Sequence, residues 1–106
     1  MTAPSEPHPL ARLDESVHQR TRLGVLAILA EINEADFSHL KNALQLTDGN
    51  LGRHLEVLVQ HGHVELRKGS SAGRRRTWVR LTPQGRRSLM SEVELLKVLV
   101  STLEAK

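Results

Sequence analysis

The sequence predicts a mainly α-helical fold with one β-hairpin, in the element order of a winged helix-turn-helix. Three observations carry that expectation. Two short amphipathic patterns, Phe37 to Leu44 and Thr47 to Gln60, are separated only by a tight turn at Leu46-Thr47-Asp48-Gly49. Two strand-like runs follow directly, Val64 to Lys68 and Thr77 to Leu81, around a tip of Gly, Ser and Arg. Ahead of all this, Arg22 to Ile32 is apolar around most of a helical circumference, as a central core helix must be.

At 106 residues the chain supports one domain with one modest core, expected over residues 10–106. Met1 to Pro9 carries three prolines and neither a basic n-region nor an apolar stretch, so it reads as a disordered arm rather than a signal peptide or membrane span. The absence of cysteine excludes disulfides, Cys-ligated zinc and thiol switching, and suits a cytoplasmic protein.

Leu10 to Gln19 fits either a separate helix or an extension of the next one, and Glu34-Ala35-Asp36 reads as a connector. Phe37, Leu40, Ala43 and Leu44 give the positioning helix its apolar face. Thr47 is a suitable N-cap, its hydroxyl able to accept from the amide three residues on, and Asp48 favours the positive helix end. The helix that follows should bury Leu51, Leu55, Leu58 and Val59, leaving Gly49, Asn50, Arg53, Glu56, Val57 and Gln60 on the other side. Gly62 suits the left-handed position after that helix. Val64 to Lys68 alternates apolar and polar, Gly69 to Gly73 makes a flexible tip, and Trp78 reads as a core anchor of the return strand. Thr82 caps the final helix with Pro83 in its first turn.

Charge is distributed unevenly. The net value is only +3, yet Arg67 to Arg87 holds eight Lys or Arg and no acid, while the residues before it sum to −4. Such a field on one hairpin is the footprint expected for phosphate, the competing reading being a solvated hairpin whose arginines pair with surface acids. A helix entering the major groove of duplex DNA reads base edges from its first turns, which selects Thr47, Asp48, Gly49, Asn50, Arg53 and His54. Arg53 has the two-pronged donor geometry for guanine, and Asn50 can pair with adenine or grip phosphate. Arg67, Lys68, Arg74, Arg75 and Arg76 are placed to reach phosphates or a narrow minor groove. Gly49 and Gly52 each cost about 1 kcal/mol in a helix, intelligible if the backbone approaches another surface closely; Gly52 is equally compatible with packing on a neighbouring helix. With one Trp, one Phe and no Tyr, the stacking platforms of single-strand binders are missing, which favours duplex.

Leu89, Val93, Leu96, Val100 and Leu103 step by four, three, four and three, a heptad-type seam that Leu95, Val98 and Leu99 widen. A stripe this broad on a terminal helix implies a twofold partner, shared with Leu10, Leu13 and Val17. Two recognition helices would then read half-sites about 34 Å apart.

The runs His18-Gln19-Arg20-Thr21-Arg22-Leu23, Asp36-Phe37-Ser38-His39-Leu40, Leu46 to Leu55, Gly62-His63-Val64, Arg76-Thr77-Trp78 and Leu81-Thr82-Pro83-Gln84-Gly85-Arg86 resemble the small stand-alone winged-helix transcriptional regulators allied to the MarR and ArsR families. That resemblance implies a homodimer, acting as a repressor on a pseudo-palindromic operator. It would bind duplex DNA through the helix holding Asp48, Asn50, Arg53 and His54 and the wing holding Arg74 to Arg76. Gly52 stands where such proteins often carry serine, and His63 where an aromatic is common.

A metal-sensing ArsR-like repressor would draw on His54, His61 and His63, but His61-x-His63 straddles a helix end and the last helix has no histidine, so neither metal nor cofactor is expected. His18 with Asp14 reads as an i, i+4 helical pair. Ser38-His39 and Asp14-Glu15 lack any nucleophile elbow or phosphate-cradling loop, so no catalysis is expected. A winged helix serving only protein contacts would present an apolar or acidic recognition face instead of one beside an arginine-rich wing. No residue singles out a small effector.

Overall fold

The structure, a computed structural model, describes residues 8–105. Helices α1 (Arg20–Ile32), α2 (Phe37–Leu44), α3 (Asp48–Gln60) and α4 (Pro83–Glu104) surround an antiparallel sheet of β1 (Glu34–Asp36), β2 (Val64–Ser71) and β3 (Arg74–Leu81) in the order β1-β3-β2. Among the described residues no helix is long and apolar enough to cross a membrane.

The expected helix or extension over Leu10 to Gln19 is replaced by a single 3-10 turn, Pro9–Arg12, followed by irregular chain. Most of the expected N-terminal arm lies outside the described residues, although Pro9 already belongs to that turn. Helix α1 begins two residues earlier than the apolar pattern indicated, because the Gln19 side chain accepts from the Arg22 amide as an N-cap.

Glu34-Ala35-Asp36 is a strand instead of a connector. Ala35 lies opposite Val79 and is buried, so three residues complete the sheet edge and seal the core below it. Asp36 then ends β1 and caps α2, accepting from the His39 amide at 2.7 Å.

Both wing strands are also longer than expected, with only Ala72 and Gly73 between them, at φ 53° and 77°. Positive φ at both central residues is the two-residue turn whose twist matches paired strands. The Gly and Ser residues of the expected flexible tip are thus laddered: Gly69 faces Arg76 and Ser70 faces Arg75.

The core gathers Val25, Leu26 and Leu29 of α1, Leu40 of α2, Leu51, Leu55 and Leu58 of α3, Val64, Val79 and Leu81 of the sheet, and Leu89 of α4. Val59 does not join them. It is 41% exposed, because Leu51, Leu55 and Leu58 already fill the stripe facing α1 and the sheet. Two glycines are required by geometry. Gly62 takes φ 75° after α3, and a Cβ on Gly85 would lie 2.0 Å from the His63 carbonyl oxygen, so α4 starts in direct backbone contact with the α3–β2 junction. Thr82 fastens the same corner: its hydroxyl oxygen accepts from the Gly85 amide at 2.9 Å and lies 2.6 Å from the Gly62 carbonyl. Beyond Val93, α4 runs out past the core, and the protein measures 67 × 25 × 24 Å.

Candidate nucleic-acid interface

The sequence of α3 fixes which residues face outward. The Leu51, Leu55 and Leu58 stripe points inward, so Asn50 and Arg53 are presented on the exposed face. The cap forms as expected, Thr47 Oγ1 accepting from the Asn50 amide at 3.1 Å. Arg53 donates to Asn50 Oδ1 at 3.0 Å, which holds the two polar side chains in one arrangement before any ligand arrives. Asp48 pairs with Lys41 of α2 at 3.0 Å and so ties the two helices of the motif together. Its carboxylate is neutralised locally and repels an approaching polyanion less than a free acid would.

Gly49 and Gly52 both have open space around them, with no atom within 4 Å of a Cβ built on either. This decides between the two readings of Gly52: no neighbouring helix requires it. The folded chain itself gives no reason for glycine at either position on this face.

The wing stands beside α3. A groove lined by Asp36, Phe37, Ser38, Asp48, Arg74, Arg75, Arg76 and Thr77 separates it from the first turns of α2 and α3. Two helix N-termini and three arginines thus face one channel, a combination favourable to anions. The arginines are not equivalent, however. Arg76 donates to Asp36 of β1, and Arg67 both pairs with Glu34 at 3.1 Å and lies 5.6 Å over the Trp78 ring. Arg86 donates to Asn33 Oδ1 at 2.8 Å at the end of α1. The basic run therefore meets its acids and acceptors through the fold, from β1 and α1, although sequence shows none nearby. Lys68, Arg74, Arg75 and Arg80 have no acidic partner among the described residues, and Lys68, Arg74 and Arg75 are the ones near the tip of the wing. Asp36 is held below the ordinary carboxylate range by the His39 amide and by Arg76.

His54 sits on the flank of α3, half-buried against α1, with its Nδ1 3.2 Å from the Arg22 guanidinium. His61 and His63 stack with ring centroids 5.9 Å apart, away from that contact in hydrogen bonding: His63 Nε2 lies 2.9 Å from Ser16 Oγ. Among the described residues no three His, Asp or Glu side chains are arranged to hold a metal ion.

A buried polar cluster was not visible in sequence. Ser16 donates its hydroxyl proton to Asp14 Oδ1 at 2.7 Å, so His63 Nε2 must supply the proton of the Ser16–His63 bond. The serine lies between acid and imidazole, the wrong order for a nucleophile, and Ser16 is itself buried. Burial lowers the pKa of His63, since a second ring proton on its partnerless Nδ1 would be sealed in the core. His18, expected to pair with Asp14, instead places Nδ1 3.1 Å from Glu92 of α4. Of the expected dimer residues, Val17 and Leu89 are spent in the core and Val93 packs against it, whereas Leu10, Val100 and Leu103 are exposed.

A family model described as a winged helix DNA-binding domain matches residues 21–100. The chain belongs to the winged helix DNA-binding domain family. A solved transcriptional regulator homologue from Pyrococcus horikoshii OT3 superposes with a TM-score of 0.83 at 31% identity, over 90% of this chain and 96% of that one. The DNA-bound Mycobacterium tuberculosis transcriptional regulator MOSR superposes with a TM-score of 0.69 at 26% identity, over 89% of this chain and 67% of that one. An uncharacterized protein of Methanocaldococcus jannaschii is 42% identical over 65 residues, 61% of this chain and 71% of that protein. The winged-helix domain thus has the architecture of the small MarR-like regulators.

Proposed function

We propose that this winged-helix protein is a transcriptional regulator that binds duplex DNA as a homodimer, with α3 in the major groove and the wing on the adjoining backbone. The observation that carries the reading is the groove in which the first turns of α2 and α3 meet the acid-free cations Arg74 and Arg75, with the exposed Asn50–Arg53 pair on the same helix α3. Arg53 supplies the guanine-reading donors, Asn50 holds it in register, and Lys68, Arg74 and Arg75 take phosphates. The DNA complex of MOSR, a structural neighbour, is consistent with this use of the fold.

The outer half of α4 supports the homodimer. Val100 and Leu103 are 51% and 63% exposed, and Val93, Leu96 and Val100 line a shallow groove along the same helix. Twofold pairing there would bury this stripe and present two α3 helices to a pseudo-palindromic operator. Repression is the output that needs least machinery, because a protein seated on a promoter excludes polymerase by volume alone.

Selection from a randomised duplex library, followed by titration at several salt concentrations, tests the reading. An enriched inverted repeat, a steep salt slope, and a shallower slope with weaker binding in the Arg74→Ala/Arg75→Ala double variant are expected. Failure to enrich any duplex overturns it.

A further inference from the structure

Arg22 of α1 lies behind the recognition helix and makes an unusual set of contacts for a residue outside it. Its Nε donates to the Ser16 carbonyl at 2.9 Å and one terminal nitrogen donates to the Glu15 carbonyl at 2.7 Å. The other terminal nitrogen lies 3.2 Å from His54 Nδ1. Guanidinium has five N–H donors and no acceptor, so it must donate to Nδ1, which therefore carries no proton. The single ring proton of neutral His54 is then on Nε2. That nitrogen has no hydrogen-bond partner among the described residues and is not sealed from solvent.

His54 follows Asn50 by one turn, about 40° around the helix toward α1. It lies between the buried leucine stripe and the exposed face of Asn50 and Arg53. A helix seated in a groove turns its flanks toward the phosphate rims. We infer that Arg22 is a positioning residue of the DNA interface, fixing His54 as a neutral Nε2–H donor to a backbone phosphate oxygen. This rests on the duplex-binding reading above.

Two further features fit the assignment. The segment that supplies the Ser16 and Glu15 carbonyls is anchored by Glu92 through the Asp14 amide at 2.7 Å, so Arg22 is held by a fixed frame. Burial disfavours imidazolium at His54, and the charged groups facing it, Arg22 on α1 and Arg53 on its own helix, are both positive and add to the effect. Protonation at Nδ1 would also displace the Arg22 donor.

The test compares the unaltered protein with Arg22→Gln, His54→Phe and the double variant, each bound to the selected duplex between pH 8 and pH 6. Proton-detected nitrogen spectra of the free proteins report the His54 tautomer. The unaltered protein should show His54 protonated on Nε2 alone at pH 8, and His54 should begin to titrate at lower pH than it does in Arg22→Gln. His54→Phe should weaken binding about tenfold per half-site, the loss of one hydrogen bond to a charged acceptor. Its salt slope should be unchanged, because no counterion-releasing charge is removed. Arg22→Gln should be similarly weak at pH 8 and recover as His54, now free of the guanidinium, protonates toward pH 6. The double variant should lack that recovery, and the remaining histidines cancel because every variant shares them. A proton on Nδ1, or duplex binding that His54→Phe leaves unaltered, overturns the inference alone. Absence of duplex binding by the unaltered protein overturns the functional reading and the inference together.

Discussion

Glu92 of α4 reaches across the domain to accept the backbone amide of Asp14 at 2.7 Å, with only 1% of the residue exposed. Its second carboxylate oxygen is 3.1 Å from His18 Nδ1, so one buried acid fastens the entire segment before α1 to the last helix. That segment in turn supplies the carbonyls that hold Arg22, and through Arg22 it touches the recognition helix. The contact chain thus runs from α4, where a second copy would pair, to α3, where DNA would bind.

Removing that acid takes the acceptor from the part-buried Asp14 amide and leaves a cavity where a buried side chain stood. Glu92→Ala should destabilise the fold by about 3 kcal/mol, within the range for breaking a buried charged hydrogen bond. Glu92→Gln retains a carbonyl acceptor and should lose about 1 kcal/mol. Urea denaturation of both variants measures this, and an alanine loss under about 0.5 kcal/mol, the scale of an ordinary surface change, would show that the segment is held by Val17 packing alone.

The open faces of Gly49 and Gly52 predict effects of opposite sign. Alanine at either position has open space, so Gly52→Ala should stabilise the protein by about 1 kcal/mol through helix propensity and Gly49→Ala, in the first turn, by less. Duplex affinity should fall at the same time, since the added methyl stands between α3 and the groove. Thermal melting and binding titration of the same samples give the two answers, and unchanged affinity in both variants would remove close approach as the reason for these glycines.

Stability should decline on the acid side in two stages. Burial makes folded His63 harder to protonate than the unfolded chain, so its contribution is complete above the ordinary value of 6.5 and is lost as pH falls below it. Asp14, held low by the Ser16 hydroxyl, and Asp36, held low by the His39 amide and Arg76, add a further loss below their ordinary value of 3.8. His63→Phe should make the upper stage shallower, leaving the part that His54 contributes, and should leave the lower stage in place. Denaturation midpoints between pH 8 and pH 3 check this; an upper stage as steep in His63→Phe as in the unaltered protein would assign it elsewhere, with His54 the next candidate.

Ala72 occupies the left-handed region at φ 53° in the two-residue turn of the wing, where a Cβ is unfavourable. Asn-Gly is the preferred pair for such a turn, so Ala72→Asn should stabilise the hairpin by about 0.5–1 kcal/mol. Hydrogen exchange of the Ser71 and Arg74 amides, which flank the turn and exchange ladder hydrogen bonds, reads this locally, and exchange faster than in the unaltered protein would contradict it.

The sequence alone determined what depends on near neighbours along the chain. The Thr47 cap, the leucine stripe of α3, the Thr82-Pro83 start of α4 and the presence of a hairpin were all legible, because helix periodicity and capping act within about four residues. Tertiary structure decided what distant residues do to one another. Glu34 to Asp36 becomes a strand only because β3 offers it a ladder, and the same strand supplies the acids that neutralise Arg67 and Arg76. Nothing in the pattern of α4 singles out Glu92, whose partner, the Asp14 amide, lies 78 residues earlier. The sequence offers no partner for His63 beyond a rejected metal site, and only the fold brings Ser16 to it in the core. Burying a polar group is costly unless a partner meets it, and here the partners come from elements distant in sequence, which local pattern cannot reveal.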